Sequence, residues 1–260
     1  MQNITKYFKK AGLDFTLTDR PIGRFNNANG EKIFQMTIDA NHPGSRSERF
    51  RIFKGNGNDV RVLDIDSKKQ QLLLFVKEPK RSFTEVHYDS KQGKNIETKR
   101  ETPTGIRRYL MGMDERHLFV SELPDRHGKI NTVEDAHRIL KPYDVKDRKK
   151  RKGVKVHRQG EWFFVEATPE EMLLINENIA FIELKQPIAH MRIGKPHIAE
   201  NILRIHIGTV TKFTDRDVTF VKGKIKHEDH KTKEFFVWHK VFKNTEKIDV
   251  NTTRIHGWID

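Results

Sequence analysis

At 260 residues the chain is long enough for one large domain or two small ones, and 35% hydrophobic against 33% charged residues make it a polar globular sequence. Its net charge of +14 favours an anionic partner, nucleic acid ahead of membrane, because no basic helix with a bulky apolar face is visible. The absence of cysteine excludes disulfides, thiolate metal sites and a cysteine nucleophile, so any metal must be held by His, Asp or Glu.

No apolar run approaches the roughly eighteen residues of a membrane span, and MQNITKYFKKAG lacks the pattern of a signal peptide, so the expectation is a soluble cytoplasmic protein. Ile4, Tyr7, Phe8 and Ala11 fit one face of a short helix that Gly12 is placed to end. After a turn-rich loop from Ile22 to Gly30, strands are expected at Glu31–Ala40, Arg49–Phe53, Val60–Ile65, Gln71–Val76 and Ser82–Tyr88. The polar stretch Asp89–Thr102 reads as a long loop or an extended hairpin. Arg107–Met111 and His117–Leu123 read as strands, and Thr132 with Asp135 forms a capping box for a helix that stops before Pro142.

Half of the net charge sits in thirteen residues, Lys146 to Arg158, where eight Lys or Arg face one Asp. Like charges repel and resist packing, so 146–155 is expected to be a linker or exposed arm between an N-terminal β-rich lobe, 1–145, and a C-terminal α+β lobe, 156–260. Lys149, Lys150, Arg151, Lys152, Lys155 and Arg158 would there grip phosphates, with no aromatic residue interleaved to stack on bases.

Val154–Arg158 and Trp162–Ala167 read as a hairpin whose WFFV is core. Thr168-Pro169-Glu170-Glu171 is a strong helix start, with a capping hydroxyl, proline in the first turn and acids at the positive end of the dipole. That helix should reach about Asn178, with a strand at Phe181–Leu184. A short helix after Pro196 would put His197 and Glu200 on one face.

The stretch from Val218 to Glu246 concentrates the candidate functional residues. Val218–Lys226 and Glu234–Phe242 read as the arms of a hairpin, and Lys222, Lys224 and Lys226 share one face at a spacing of roughly 7 Å, which suits a nucleic-acid backbone. Lysines that discourage edge pairing explain the same row. The second arm is apolar on both faces and reads as an inner strand covered on both sides. In the connection, His227, Asp229 and His230 are of the types that ligate zinc or another divalent transition metal, with His197 and His239 as further candidates; a catalytic version would assign His230, Asp229 and His239 to hydrolysis. The same residues also make an ordinary polar turn. His190 and His206 are further histidines of this half and show no ligand spacing.

Asp229-His230, Asn244 and His256 resemble, in order, the pattern of the His-Asn-His nucleases, which implies a hairpin followed by a helix. From Phe50 to Glu246 the chain also resembles a family of uncharacterised bacterial proteins, through LLLFVKEP, MGMDERHLFV, RQGEWFF, GKPHIAE and the HEDH, WHKV and NTE segments. That resemblance implies a bacterial or phage setting and transfers no catalytic residue. No P-loop, dinucleotide fingerprint, nucleophile elbow, kinase signature, zinc finger or helix-turn-helix pattern occurs.

The sequence thus leads to an α+β fold, predominantly antiparallel β in two lobes with a few short helices. Nucleic-acid binding is its first expected function. A nuclease-type hydrolase that uses a divalent metal ion comes second, and a protein with an acidic protein partner third.

Overall fold

The computed structural model describes residues 4–22, 31–39, 48–89, 93–102, 104–115, 117–124, 130–189, 196–207, 216–228, 230–246 and 255–256. The chain forms two compact units. Unit 1 takes Met1–Met113, Leu118–Ala136 and Lys247–Trp258, and unit 2 takes Asp114–His117, His137–Glu246 and Ile259–Asp260. Mainly antiparallel strands with a few short helices make up both, the α+β class read from the sequence; the parallel pairs, β1 with β3 and β16 with β2, lie in unit 1.

Unit 1 opens with helix α1 (Ile4–Ala11), whose Ile4, Phe8 and Ala11 are buried along one face. Gly12, at φ 71°, ends it in the left-handed region that a glycine adopts without strain. Phe8 stacks on Phe15 at 4.4 Å between ring centroids. Strands β1 (Phe15–Leu17), β2 (Gln35–Asp39) and β3 (Arg49–Phe53) form one sheet. Strands β4 (Asp59–Asp66) and β5 (Gln71–Glu78) belong to a second. The expected strand Ser82–Tyr88 is β6 (Arg81–Asp89), and within the polar stretch Asp89–Thr102 the residues Lys94–Thr102 are β7, paired to β6 as an extended hairpin. Strands β8 (Gly105–Asp114) and β9 (His117–Glu122) complete the order β4-β5-β8-β9. Leu72 to Val76 on β5 are buried on both faces, and buried Glu78 accepts from Phe34 N (2.9 Å) and Arg107 Nη1 (2.8 Å). Helix α2 (Val133–Leu140) carries the expected cap: Asp135 N donates to Thr132 Oγ1 at 3.0 Å, and Thr132 N donates back to the Asp135 carboxylate at 3.3 Å.

The division between the units falls within α2, after Ala136. The basic run, expected as a linker over 146–155, lies inside unit 2, where its first part is helix α3 (Tyr143–Lys149). Two contacts let a like-charged run fold. Val145 is buried with Phe163 and Val165, and Arg148 pairs with Glu171, its Nη1 lying 2.9 Å from Oε2.

Unit 2 continues with β10 (Val156–Gln159), β11 (Trp162–Glu166) and α4 (Pro169–Glu177). The Thr168–Glu171 capping box of α4 is present. A 3-10 turn, Ile179–Phe181, leads to β12 (Glu183–Pro187), β13 (Ile198–Ile207), β14 (Arg216–Lys226) and β15 (Lys233–Lys243). These six strands form one antiparallel sheet in the order β10-β11-β15-β14-β13-β12. The last element, β16 (Ile255–His256), pairs in parallel with β2 of unit 1, so His256 sits in a strand and not in the helix of the nuclease pattern.

The sheet of unit 2 is curled, and its register shows where. On β15, Phe164 of β11 pairs with Val241, yet its ring also meets Phe235 at 5.2 Å. Six residues of straight strand would separate Phe235 from Val241 by about 20 Å. The bend lies at a wide irregularity: Val221 pairs with His239 and Gly223 with Phe235, so Lys222 alone faces Phe236, Val237 and Trp238. Inside the curl, Trp162, Phe164, Ala199, Ile202, Val221, Ile225, Phe235 and Val241 form one core. Outside it, α3 covers Phe163 and Val165, and Ile175 of α4 packs with Leu203, Phe220 and Trp238.

Candidate metal centre

Three histidines meet at one end of the curled sheet. His197 directly precedes β13, and His227 and His230 lie in the connection from β14 to β15. All three are buried, at 1%, 7% and 9% exposure. Each offers one ring nitrogen to a set whose members lie within 4.8 Å of one another. Their ring centroids are 4.2, 5.4 and 4.8 Å apart for the pairs 197–227, 197–230 and 227–230. Tetrahedral coordination at about 2.05 Å needs nitrogens roughly 3.3 Å apart, so each ring has to close by less than about 1 Å.

The turn between β10 and β11 completes the cradle. Gly160 has φ 54°, and a Cβ there would stand 3.1 Å from His230 Nε2 and 3.6 Å from His197 Nε2. The missing side chain is therefore the space that opens onto these nitrogens. Two bonds hold the turn in place: Gln159 Nε2 donates to Lys231 O at 2.8 Å, and Arg158 Nε donates to Gly160 O at 2.8 Å.

Glu115 closes the set on its exposed side. Its Oε2 lies 3.9 Å from His230 Nδ1 and accepts from Lys231 N at 2.8 Å, and its own φ is 53°, an uncommon conformation for a residue with a side chain. A carboxylate beside the Nδ1 of a ligating histidine orients the ring and raises its basicity.

The electrostatics suit neutral ligands. Burial, then the neighbouring His227 and His230, push the His197 imidazole down to about 3. Both ring nitrogens of His197 are buried without a hydrogen-bond partner among the described residues. A buried polar atom left in this way costs on the order of 1 to 3 kcal/mol, which a coordinate bond to an ion would remove.

Of the expected candidates, His227, His230 and His197 are brought together, while Asp229 lies outside the described residues, as does His190, which is no candidate. His239 stands apart from the cluster. Its ring stacks on Phe235 at 4.2 Å and meets His157 edge-on at 5.8 Å, and its Nδ1 lies 2.9 Å from Val237 O. The helix expected after Pro196 is the strand β13, so His197 and Glu200 do not share a helix face. Glu200 instead reaches over Gly223, φ 84°, and accepts from Lys224 N at 2.8 Å. Sequence reasoning missed Gly160 and Glu115: Gln159-Gly160 falls at the turn of the expected hairpin Val154–Arg158 and Trp162–Ala167, but its approach to His197 and His230 depends on the curl.

Among the basic residues, Lys149, Lys150, Arg151, Lys152 and Lys155 are exposed, and Arg158 is half-buried at the Gly160 turn. Burial and the charges of Lys149, Lys146 and Arg158 push the Lys141 ammonium below its ordinary range. Lys222, Lys224 and Lys226 are exposed along β14 between buried Val221, Ile225 and His227. No helix among the described residues is long and apolar enough to cross a membrane. No family model, curated protein or solved structure matches the chain.

Proposed function

We propose that this protein is a metal-dependent hydrolase whose ion, of the zinc type, is held in unit 2 by His197, His227 and His230. The observation that carries this reading is the convergence of three buried imidazole nitrogens on a space that Gly160 leaves open. An all-imidazole set suits zinc and its transition-metal neighbours over magnesium or calcium, which prefer oxygen. Three protein ligands leave a fourth position, and an ion so held supplies a polarising centre that lowers the pKa of a water molecule bound there. Glu115 brings a carboxylate to within 3.9 Å of His230 Nδ1, on the exposed side of the centre.

Metal analysis of the purified protein tests this directly. One equivalent of zinc per chain is expected, together with chelator-sensitive hydrolysis of an activated phosphodiester that added zinc restores. Failure to take up zinc in a calorimetric titration would remove the reading.

Nucleic-acid binding is a second reading, supported by a separate observation: the charges of Lys149, Lys146 and Arg158 all act on Lys141, so these cations of unit 2 cluster around it. Such a cluster favours a polyanion through counterion release. Retention of nucleic acid that falls steeply with salt in wild type, and is weakened by Lys141→Gln with Lys149→Gln, is the expected result.

A further inference from the structure

We propose that the outer face of the unit 2 sheet, at the bend of β15, is a stacking platform for single-stranded nucleic acid, with Phe236 as the base-contacting residue. The proposal is independent of the metal ion.

The register places the residues. Lys224 pairs with Glu234 and therefore points to the same face; Phe236, two residues on, points there too. Lys222 stands opposite the bulged segment that contains Phe236, Asn201 pairs with Lys222, and Leu184 pairs with Asn201. The result is a row across four strands, Leu184, Asn201, Lys222 and Phe236, roughly 14 Å long at about 4.8 Å per strand. Lys224 and Lys226 continue from Lys222 along β14.

Among the described residues, nothing packs on this part of the outer face. Helix α4 packs where Phe220, Leu203 and Trp238 lie, whereas Phe236 is 82% and Leu184 64% exposed. A single exposed apolar side chain is ordinary. Phe236 differs because the bend of an otherwise paired inner strand projects it, beside a lysine on the adjacent strand. The sequence reading expected this strand to be covered on both sides; the bulge exposes Phe236 and Val237.

Charge decides the occupant. Lys222, Lys224 and Lys226 are exposed here, against Glu234 and the Glu200 carboxylate that reaches over Gly223 to Lys224 N, which leaves the patch net positive. A second copy of the chain docking by two-fold symmetry would set this net positive patch against an identical one, which is unfavourable. A polyanion is attracted, and an aromatic face needs an unstacked base, which a single strand offers and a duplex withholds. Lysines repeating at roughly 7 Å along β14 match successive phosphates.

The test uses the full chain in chelator, so that metal chemistry plays no part. A labelled homopolymeric DNA or RNA strand, and a duplex of equal length, are titrated by fluorescence anisotropy over a salt series, with light scattering on the same samples. Single strands should bind more tightly than duplex. Phe236→Ala should weaken single-strand binding about tenfold and Phe236→Trp should keep it. Lys222→Gln combined with Lys224→Gln and Lys226→Gln should flatten the salt slope by about two units. No binding at low salt, equal binding of duplex, or a Phe236→Ala protein that binds as wild type would overturn the proposal, as would a dimer that Phe236→Ala dissociates.

Discussion

Unit 2 holds two groups of histidine rings that a sequence cannot tell apart, buried His197, His227 and His230 in one and buried His239 with half-buried His157 in the other, and the structure separates them. His197, His227 and His230 direct nitrogens at a shared space. His239 instead lies flat against Phe235, with its Nδ1 at the Val237 carbonyl and His157 across its edge. In both groups burial holds an imidazole below its ordinary range, His197 in the first and His157 and His239 in the second. Burial and a lowered pKa therefore do not mark a ligand. Convergence of nitrogens does, together with a ring such as His197 whose own nitrogens have no other described partner.

The largest effect expected from this contrast is at His197. His197→Ala should reduce bound zinc from one equivalent to background in metal analysis, and should abolish the rise in melting temperature that zinc gives the wild type. That rise reflects an ion that binds only the folded chain, about 3 to 4 kcal/mol at a hundred to a thousand times Kd. The same outcome for His239→Gln would dissolve the distinction between the groups.

Next comes Gly160→Ala, which forces a side chain into a positive-φ turn and a methyl group to 3.1 Å from His230 Nε2. A loss of about 1 to 2 kcal/mol in denaturant unfolding is expected, with zinc affinity falling by at least tenfold in competition titration.

Acid sensitivity sharpens the comparison by separating scaffold from centre. Burial raises the Glu171 carboxyl, but bonds from Arg148, Thr168 N and Lys240 outweigh it and hold it at about 2, against an ordinary 4.5. The folded value is the lower one, so the unfolded chain binds more protons between these limits. The stability from Glu171 is present above pH 4.5 and lost as pH falls towards 2. It amounts to at most about 3 kcal/mol. Chemical denaturation of Glu171→Gln across that window should show a flatter pH dependence than wild type, with zinc stoichiometry at neutral pH unchanged.

The smallest effect belongs to the second group. His239→Gln should leave zinc binding within about twofold and cost on the order of 1 kcal/mol, from the lost stack on Phe235.

Local chemistry was legible in the sequence. Thr168 to Glu171, and Thr132 with Asp135, announce their helices because each cap is satisfied within four residues. The hairpins at 156–166 and 218–242 follow from turn chemistry and alternation. Long-range effects were not legible. Lys146–Lys149 is helical because Val145 and Arg148 find partners at Phe163 and Glu171, which charge counting cannot foresee. The apolar spacing of Ile198, Ile202 and Leu203 suits a helix as well as a strand, and only pairing with β14 decides it. His227 and His230 advertise themselves by proximity, but His197 joins them from thirty residues away through the curl, and so does Gly160.

The irregularity in β15 sets a rule for how this segment can change in length. Three residues, Phe236 to Trp238, oppose one, so two are extra, and an even number leaves Phe235 and His239 facing the same side. Removing one residue would reverse the orientation of everything on one flank, carrying Phe235 or Val241 out of the core. Removing two would keep every side chain on its side while straightening the strand, and Phe164 could no longer reach Phe235. Variants of this chain should therefore tolerate substitution at Val237 far better than deletion, and a paired deletion should leave a folded sheet in which the start of β15 no longer folds back over β11.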